Sequence, residues 1–137
     1  MIGNRLDIDF VFPKKKKKII TVKDAIEDLP SLENGSLFDL MEYKSNPTSS
    51  YAKLMRGKEK KAPQNYVSRN KEYVIERYKH IKPGQNWKAI PEELMQNYTD
   101  TKNCHSGIYK RLDPNSPSVV IANYRKNMLI HPFENRG

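Results

Sequence analysis

Cysteine and histidine stand side by side once in this chain, at Cys104 and His105, the one pairing that suggests covalent or metal chemistry. The spacing supports neither. A structural zinc site takes about four ligands, and a single cysteine with the scattered His80, His105 and His131 does not supply them. A thiol activated by imidazole needs the ring nitrogen within hydrogen-bond reach of sulfur, which adjacent residues seldom achieve. The residues better equipped for work are cationic and amide-bearing. Lys110 and Arg111 open a basic segment, and Asn123, Tyr124, Arg125, Lys126 and Asn127 close it. Arginine grips guanine O6 and N7 with two donors or clamps a phosphate, while asparagine and glutamine read bases. The sequence does not separate base contact from phosphate contact for Arg111, and a salt bridge to Asp113 competes with both. Trp87 and the eight tyrosines could stack on unpaired bases, but most fall at helical or strand spacing, which favours packing. Tyr109 and Tyr124 are the exceptions, because both adjoin the basic segment.

The elements that position these groups are short. Residues 2–12 end in alternating apolar positions, Ile8, Phe10 and Phe12, and read as a strand stopped by Pro13. Lys14 to Lys18 form a self-repelling block, read as a solvated linker. Thr21 to Pro30 predicts a helix with Thr21 as N-cap and Asp24 three residues on, as in a capping box; Ala25, Ile26 and Leu29 are assigned to packing. Residues 44–50 read as a loop, 51–57 as a helical turn closed by Gly57, and 58–65 as an exposed basic loop. Over 71–81 the spacing of Tyr73, Val74, Tyr78 and Ile81 predicts one apolar helical face, ended by Lys82-Pro83-Gly84. Pro91 suits the first turn of a further short helix. Near the end, the turn Asp113-Pro114-Asn115-Ser116-Pro117 precedes a strand-like run, Ser118 to Ala122. The expected fold is α+β: a small, loop-rich domain with short helices and a C-terminal β-ribbon.

Composition narrows the class. At 137 residues there is room for about one domain. Hydrophobic residues make up 36%, under the ~45–50% usual for globular chains, so the core is small or is shared with a neighbour. No stretch reaches the ~18 apolar residues of a membrane span, Asp7 and Asp9 break the first apolar run against a secretory leader, and one cysteine excludes an internal disulfide and fits a reducing cytoplasm. The net charge of +9 is localised. Residues 1–50 balance to zero, 51–88 carry +8, 89–100 carry −3 and 101–137 carry +4. A concentrated cationic stretch suits a polyanion, because neutralising phosphates releases condensed counterions; a solvated surface is the competing reading.

The segment Ile108–Gly137, IYKRLDPNSPSVVIANYRKNMLIHPFENRG, resembles the stretch where the target-recognition domain of DNA (cytosine-5) methyltransferases rejoins the catalytic core. Those enzymes read much like YRRL-DP-x-x-PS-x-TI, then N-Y/F-RK-N, then HP and RG. TVKDAIEDLP at 21–30, SSYAKLMRG at 49–57, IKPGQNW at 81–87 and PEEL at 91–94 also resemble the family, so the likeness covers nearly the whole chain. Two departures stand out. Val120 sits where relatives carry Thr, losing a hydroxyl, and Tyr66 follows Asn65 where relatives often have His. The family's nucleophile is a cysteine after proline, whereas Cys104 follows Asn103; its Glu-Asn-Val is absent, since Glu33-Asn34 runs into Gly35; and no glycine-rich cofactor loop is visible.

The resemblance implies a division of residues 1–18 as a strand and basic linker leaving the catalytic core, 19–130 as the DNA target-recognition domain, and 131–137 as the start of the return. It implies a chain that is not an enzyme on its own and binds no cofactor or metal, S-adenosylmethionine serving the full enzyme. The implied partners are double-stranded DNA, through its major groove, and the catalytic domain, in a bacterial or phage cytoplasm with no membrane. Expected DNA contacts are Lys102, Asn103, His105, Ser106, Tyr109, Lys110, Arg111, Ser118, Val120, Asn123, Tyr124, Arg125 and Lys126, with Arg56, Lys58, Lys60, Lys61, Gln85 and Asn86 as a second group. Two other classes stay open: a free-standing nucleic-acid binding module, and a non-catalytic subunit of a split methyltransferase.

Overall fold

The computed structural model describes residues 11–15, 17–98, 105–120 and 129–137. Helix α1, Val22–Ile26, begins as its sequence dictates. The Thr21 hydroxyl accepts from the Asp24 N–H and the Asp24 carboxylate accepts from the Thr21 N–H, a complete capping box. Its first free N–H groups find distant partners: Val22 donates to the Ser116 carbonyl at 2.9 Å and Lys23 to that of Pro114 at 2.9 Å. The Asp-Pro-Asn-Ser turn is thereby fixed to the start of α1, some ninety residues away in sequence. Helix α2, Ser50–Arg56, is capped by Ser49, whose oxygen accepts from Ala52 N and donates to the Asp24 carbonyl at 2.5 Å, and it ends at Gly57 in the left-handed region.

Strands β1 (Leu37–Phe38), β2 (Met41–Glu42), β3 (Lys61–Ala62) and β4 (Asn65–Tyr66) pair antiparallel, β1 with β4 and β2 with β3. Leu37 faces Tyr66 and Glu42 faces Lys61 in one constant register, so the two ladders are ends of a single ribbon. The break falls where Pro63 lacks an N–H and Gln64 adopts φ 61°. Asp39 spans it, its carboxylate accepting from Gln64 N and its carbonyl from the buried Asn65 amide. The expectation of a plain loop over 58–65 is therefore corrected. Strands of two residues fall below the length at which alternation registers.

Helix α3, Glu72–Lys79, supplies the core. Val74, Tyr78 and Ile81 are buried as the spacing predicts, and they pack with Ile90, Met95, Tyr109 and Ile130. Tyr73 is instead half-exposed, its ring lying under the Arg77 guanidinium. Two 3₁₀ turns follow, Trp87–Ala89 and Glu92–Leu94, the second preceded by Pro91. The core is closed by β5 (Lys110–Arg111) and β6 (Leu129–Ile130), which pair in parallel. The fold is thus small α+β. Its C-terminal ladder, however, does not use the expected strand: Ser118, Val119 and Val120 are exposed and outside any strand, and the rest of that run lies outside the described residues. The expected strand before Pro13 likewise lies mostly outside them. The exposed residues just before α1 include Lys14, Lys15, Lys17 and Lys18.

The burial is uneven along the chain. Leu29, Leu37, Phe38, Leu40, Leu54, Met55 and Tyr66 are all exposed, Leu37 by 76%. Leu29, expected to pack, lines an open groove with Ala25, Ile26, Tyr43 and Met55. Among the described residues no helix is long and apolar enough to cross a membrane.

Candidate nucleic-acid interface

Two sequence segments expected to contact DNA meet in space. The segment 82–88, which runs from beyond α3 into the first 3₁₀ turn, is laid against 105–111 by backbone hydrogen bonds. Gly84 N donates to the Arg111 carbonyl at 3.1 Å, Arg111 N to the Gln85 carbonyl at 3.0 Å, and Trp87 N to the Ile108 carbonyl at 3.3 Å. Gly84 makes the bend at φ +79°, a conformation that costs a residue bearing a Cβ. The Lys110 ammonium donates to the Gly84 carbonyl. The Asn86 side chain joins the two segments, its amide N–H₂ donating to the Ser106 carbonyl at 2.9 Å while its oxygen accepts from Lys88 N at 3.2 Å. The product is one polar surface on which Lys82, Gln85, Lys88, His105 and Ser106 are exposed. An open cleft of about 250 Å³ lies along it, lined by Gly84, Gln85, Asn86, Lys88 and Ala89.

The structure revises the part assigned to Arg111. Its side chain is 5% exposed, and its guanidinium donates to the carbonyls of Ile81 (2.5 Å), Tyr78 (2.7 Å), His131 (2.7 Å) and Glu134 (2.8 Å) and to the Asn135 side-chain oxygen (2.7 Å). A guanidinium has five N–H donors, so none is left for a base or phosphate. Tyr78 lies in the last turn of α3, its carbonyl accepting from Ile81 N at 3.1 Å as well as from Arg111, and Ile81 follows that helix, which makes Arg111 the fastener of its C-terminal end and the clamp on 131–135. Burial pulls its pKa below the ordinary guanidinium value, with the Tyr78 hydroxyl acting in the opposite direction. The competing salt bridge to Asp113 is not formed. Asp113 instead accepts from Ser116 Oγ at 2.7 Å and Asn115 N at 2.9 Å, and these bonds hold its carboxyl below the usual range.

Tyr109 is corrected in the same way. It is 1% exposed, packs edge-on against Tyr78 and Tyr98, and holds φ +52°, a sparsely populated backbone for a residue with a Cβ. Its hydroxyl accepts from Arg77 at 2.9 Å. Arg77, which the sequence does not single out, is 4% exposed and also donates to the Leu94 carbonyl at 2.8 Å and to the Asn97 side-chain oxygen. An i, i+4 position relative to Tyr73 is the available signal, masked by the expectation that arginine faces water.

In the second group, Arg56 is also structural. It pairs with the buried Asp28 carboxylate at 3.6 Å, lies 3.6 Å from the Tyr43 ring centroid and donates to the Ser45 carbonyl at 3.0 Å. Lys58 and Lys60 are exposed, and Lys61 faces Glu42 across the ribbon at 3.1 Å. These three lysines belong to the ribbon and its approach, apart from the backbone bonds that join 82–88 to 105–111. Ser118 is exposed and Val120 is 89% exposed. Lys102, Asn103, Asn123, Tyr124, Arg125 and Lys126 lie outside the described residues, as does Cys104. The exposed His105 uses its Nδ1 to accept from Gly107 N at 3.0 Å.

Among the described residues, no three of His, Cys, Asp and Glu gather to hold a metal. What the surface offers is amide, hydroxyl, imidazole and ammonium groups fixed to a rigid loop pair, a set suited to binding an anionic, hydrogen-bonding polymer.

No family model matches the chain. It is similar to DNA (cytosine-5)-methyltransferase 1A of Oryza sativa subsp. japonica, 29% identical over 139 residues, covering 85% of this chain and 9% of that protein. Type II methyltransferase M.DdeI of Desulfomicrobium norvegicum is 30% identical over 123 residues, covering 85% of this chain and 29% of the relative. Type II methyltransferase M.BbvI of Brevibacillus brevis is 29% identical over 127 residues, covering 88% and 26%. The chain thus spans less than a third of each of these relatives. The likeness supports a fragment of the DNA (cytosine-5) methyltransferase family.

Proposed function

We propose that this chain is the target-recognition domain of a DNA (cytosine-5) methyltransferase, binding double-stranded DNA by a short sequence through the major groove. The observation that carries the reading is the joining of 82–88 to 105–111, which gathers Lys82, Gln85, Lys88, His105 and Ser106 on one rigid surface. Lysines there position phosphates, and amide and imidazole groups address base edges. Residues 19–130 form the recognition domain and 131–137 begin the return to the catalytic part. On this reading the cysteine nucleophile and the S-adenosylmethionine site belong to that part, Cys104 following Asn103 where the family's nucleophile follows proline. Extruding a cytosine costs a few kcal/mol, and recognition contacts of this kind offset it. A bacterial or phage restriction–modification setting accords with the type II relatives.

Binding of the full chain to a labelled duplex pool, against unlabelled single strands and heteropolymer duplex, tests this reading. A duplex fraction that survives excess single strand and heteropolymer is expected. Equal competition by single strands would replace the reading with that of a free-standing single-strand or RNA binder.

One observation favours a second reading, a non-catalytic subunit of a split methyltransferase. Leu37, Phe38, Leu40, Leu54, Met55 and Tyr66 are large apolar side chains left exposed, and a partner chain covering them would bury that surface. On that reading, mixing the chain with a separate cofactor-binding chain restores methylation that neither performs alone.

A further inference from the structure

We infer that Gln85 is the side chain that reads a base, and that the base is adenine, while Asn86, Tyr109 and Arg111 build its mount without touching DNA. This rests on the recognition reading above and deepens it.

The loop is held on every side. Gly84 and Gln85 are bonded through their backbones to Arg111, and the Lys110 ammonium closes on the Gly84 carbonyl. Arg111 in turn is fixed by its buried guanidinium to α3 and to 131–135. Of the two amides at the tip, Asn86 is used at both ends, donating to Ser106 and accepting from Lys88. Gln85 is exposed and differs in one respect. Its Oε1 accepts a single hydrogen bond, from Lys82 N at 3.0 Å, which leaves a second lone pair on that oxygen. Its Nε2 hydrogens carry no bond within the described residues.

That is the donor–acceptor pair adenine requires in the major groove: Nε2–H toward N7, and the free lone pair of Oε1 toward N6–H₂. The Lys82 N–H sets the amide orientation beforehand, so less side-chain entropy is lost on contact. Exposed Lys82 and Lys88 flank the glutamine, placed to hold phosphates while it reads.

Selection from a random duplex library, run in parallel with the full chain and its Gln85→Ala and Gln85→Glu forms, tests the assignment. Gln85→Glu keeps an oxygen for the Lys82 N–H and so preserves the loop even if Gln85→Ala disturbs it. The expected result is a wild-type consensus with one adenine position whose discrimination falls about 5- to 100-fold in the alanine form, other positions being unchanged, and shifts toward cytosine in the glutamate form. An identical consensus from all three proteins overturns the assignment, as does an even loss of affinity on every sequence. A wild-type chain that enriches no site would overturn the recognition reading itself, and this inference with it.

Discussion

Replacing Arg111 with methionine removes the five donors that fasten the end of α3 and bind the 131–135 segment. Methionine keeps an apolar stem there, while the planar guanidinium and its donors are lost. The Tyr78 carbonyl keeps the Ile81 N–H at 3.1 Å, and the Asn135 side chain reaches water. The carbonyls of Ile81, His131 and Glu134 lose the partner the guanidinium supplied. A buried acceptor left unsatisfied costs ~1–3 kcal/mol. Part of this is offset because the guanidinium no longer has to be buried without a carboxylate partner. The net is about 4 kcal/mol, a large fraction of the ~5–15 kcal/mol that holds a domain together. Urea unfolding followed by Trp87 fluorescence is the assay. With a slope of about 2 kcal/mol per molar, the midpoint should fall by about 2 M. A midpoint within about 0.3 M of wild type, accompanied by weaker DNA binding with a shallower salt dependence, would refute the reasoning and return Arg111 to the surface as a phosphate ligand.

Tyr109→Phe keeps the ring but strips the acceptor from buried Arg77, and should cost ~1.5–3 kcal/mol in the same assay, a charged partner being involved. An unchanged midpoint would mean that water replaces the hydroxyl. Ser49→Ala removes the cap of α2 and should cost about 1 kcal/mol by thermal melting; a loss under about 0.3 kcal/mol would show that α2 is held by packing alone. Acid should weaken the fold through His131, whose pKa is pushed down to about 4, first by burial and then by the Arg136 charge. Its Nδ1 accepts the Glu134 and Phe133 N–H groups, so protonation there removes an acceptor. A depressed folded pKa means stability is complete above the unfolded value of ~6.5 and is lost as pH falls toward about 4, by roughly 2 kcal/mol after solvent screening. A flat stability profile from pH 7 to 4 would contradict this. Replacing Lys82 and Lys88 together with glutamine should reduce the slope of log K against log salt by about 1.8, near 0.9 for each phosphate no longer neutralised, and an unchanged slope would remove them from the interface.

Much of the scaffold is legible in the sequence because it follows local rules. The capping box at Thr21 and Asp24, the apolar face of α3 and the turn at 113–117 each depend on residues a few positions apart. The interrupted ribbon 37–42/61–66 is not, because its register is set by pairing across a long connection and several of its apolar residues face solvent. The candidate surface is half legible. Gln85, Asn86, His105 and Ser106 are identifiable by type, and a shared surface brings them together. Arg56, Tyr109 and Arg111 mislead for one physical reason. An arginine beside a basic segment looks like a ligand for phosphate, and only tertiary structure reveals that backbone carbonyls of distant segments converge on it. Tyr109 follows, since its proximity to that arginine is the sequence argument for its exposure.

Selection of bound duplexes from a random library by the unmodified chain, at near-physiological salt and with sequencing of the retained fraction, is the most direct test of the central claim. Enrichment of one short, cytosine-containing site is the predicted result. Retention that falls steeply with salt and enriches no sequence would contradict the claim, leaving a surface that holds phosphates but does not read bases.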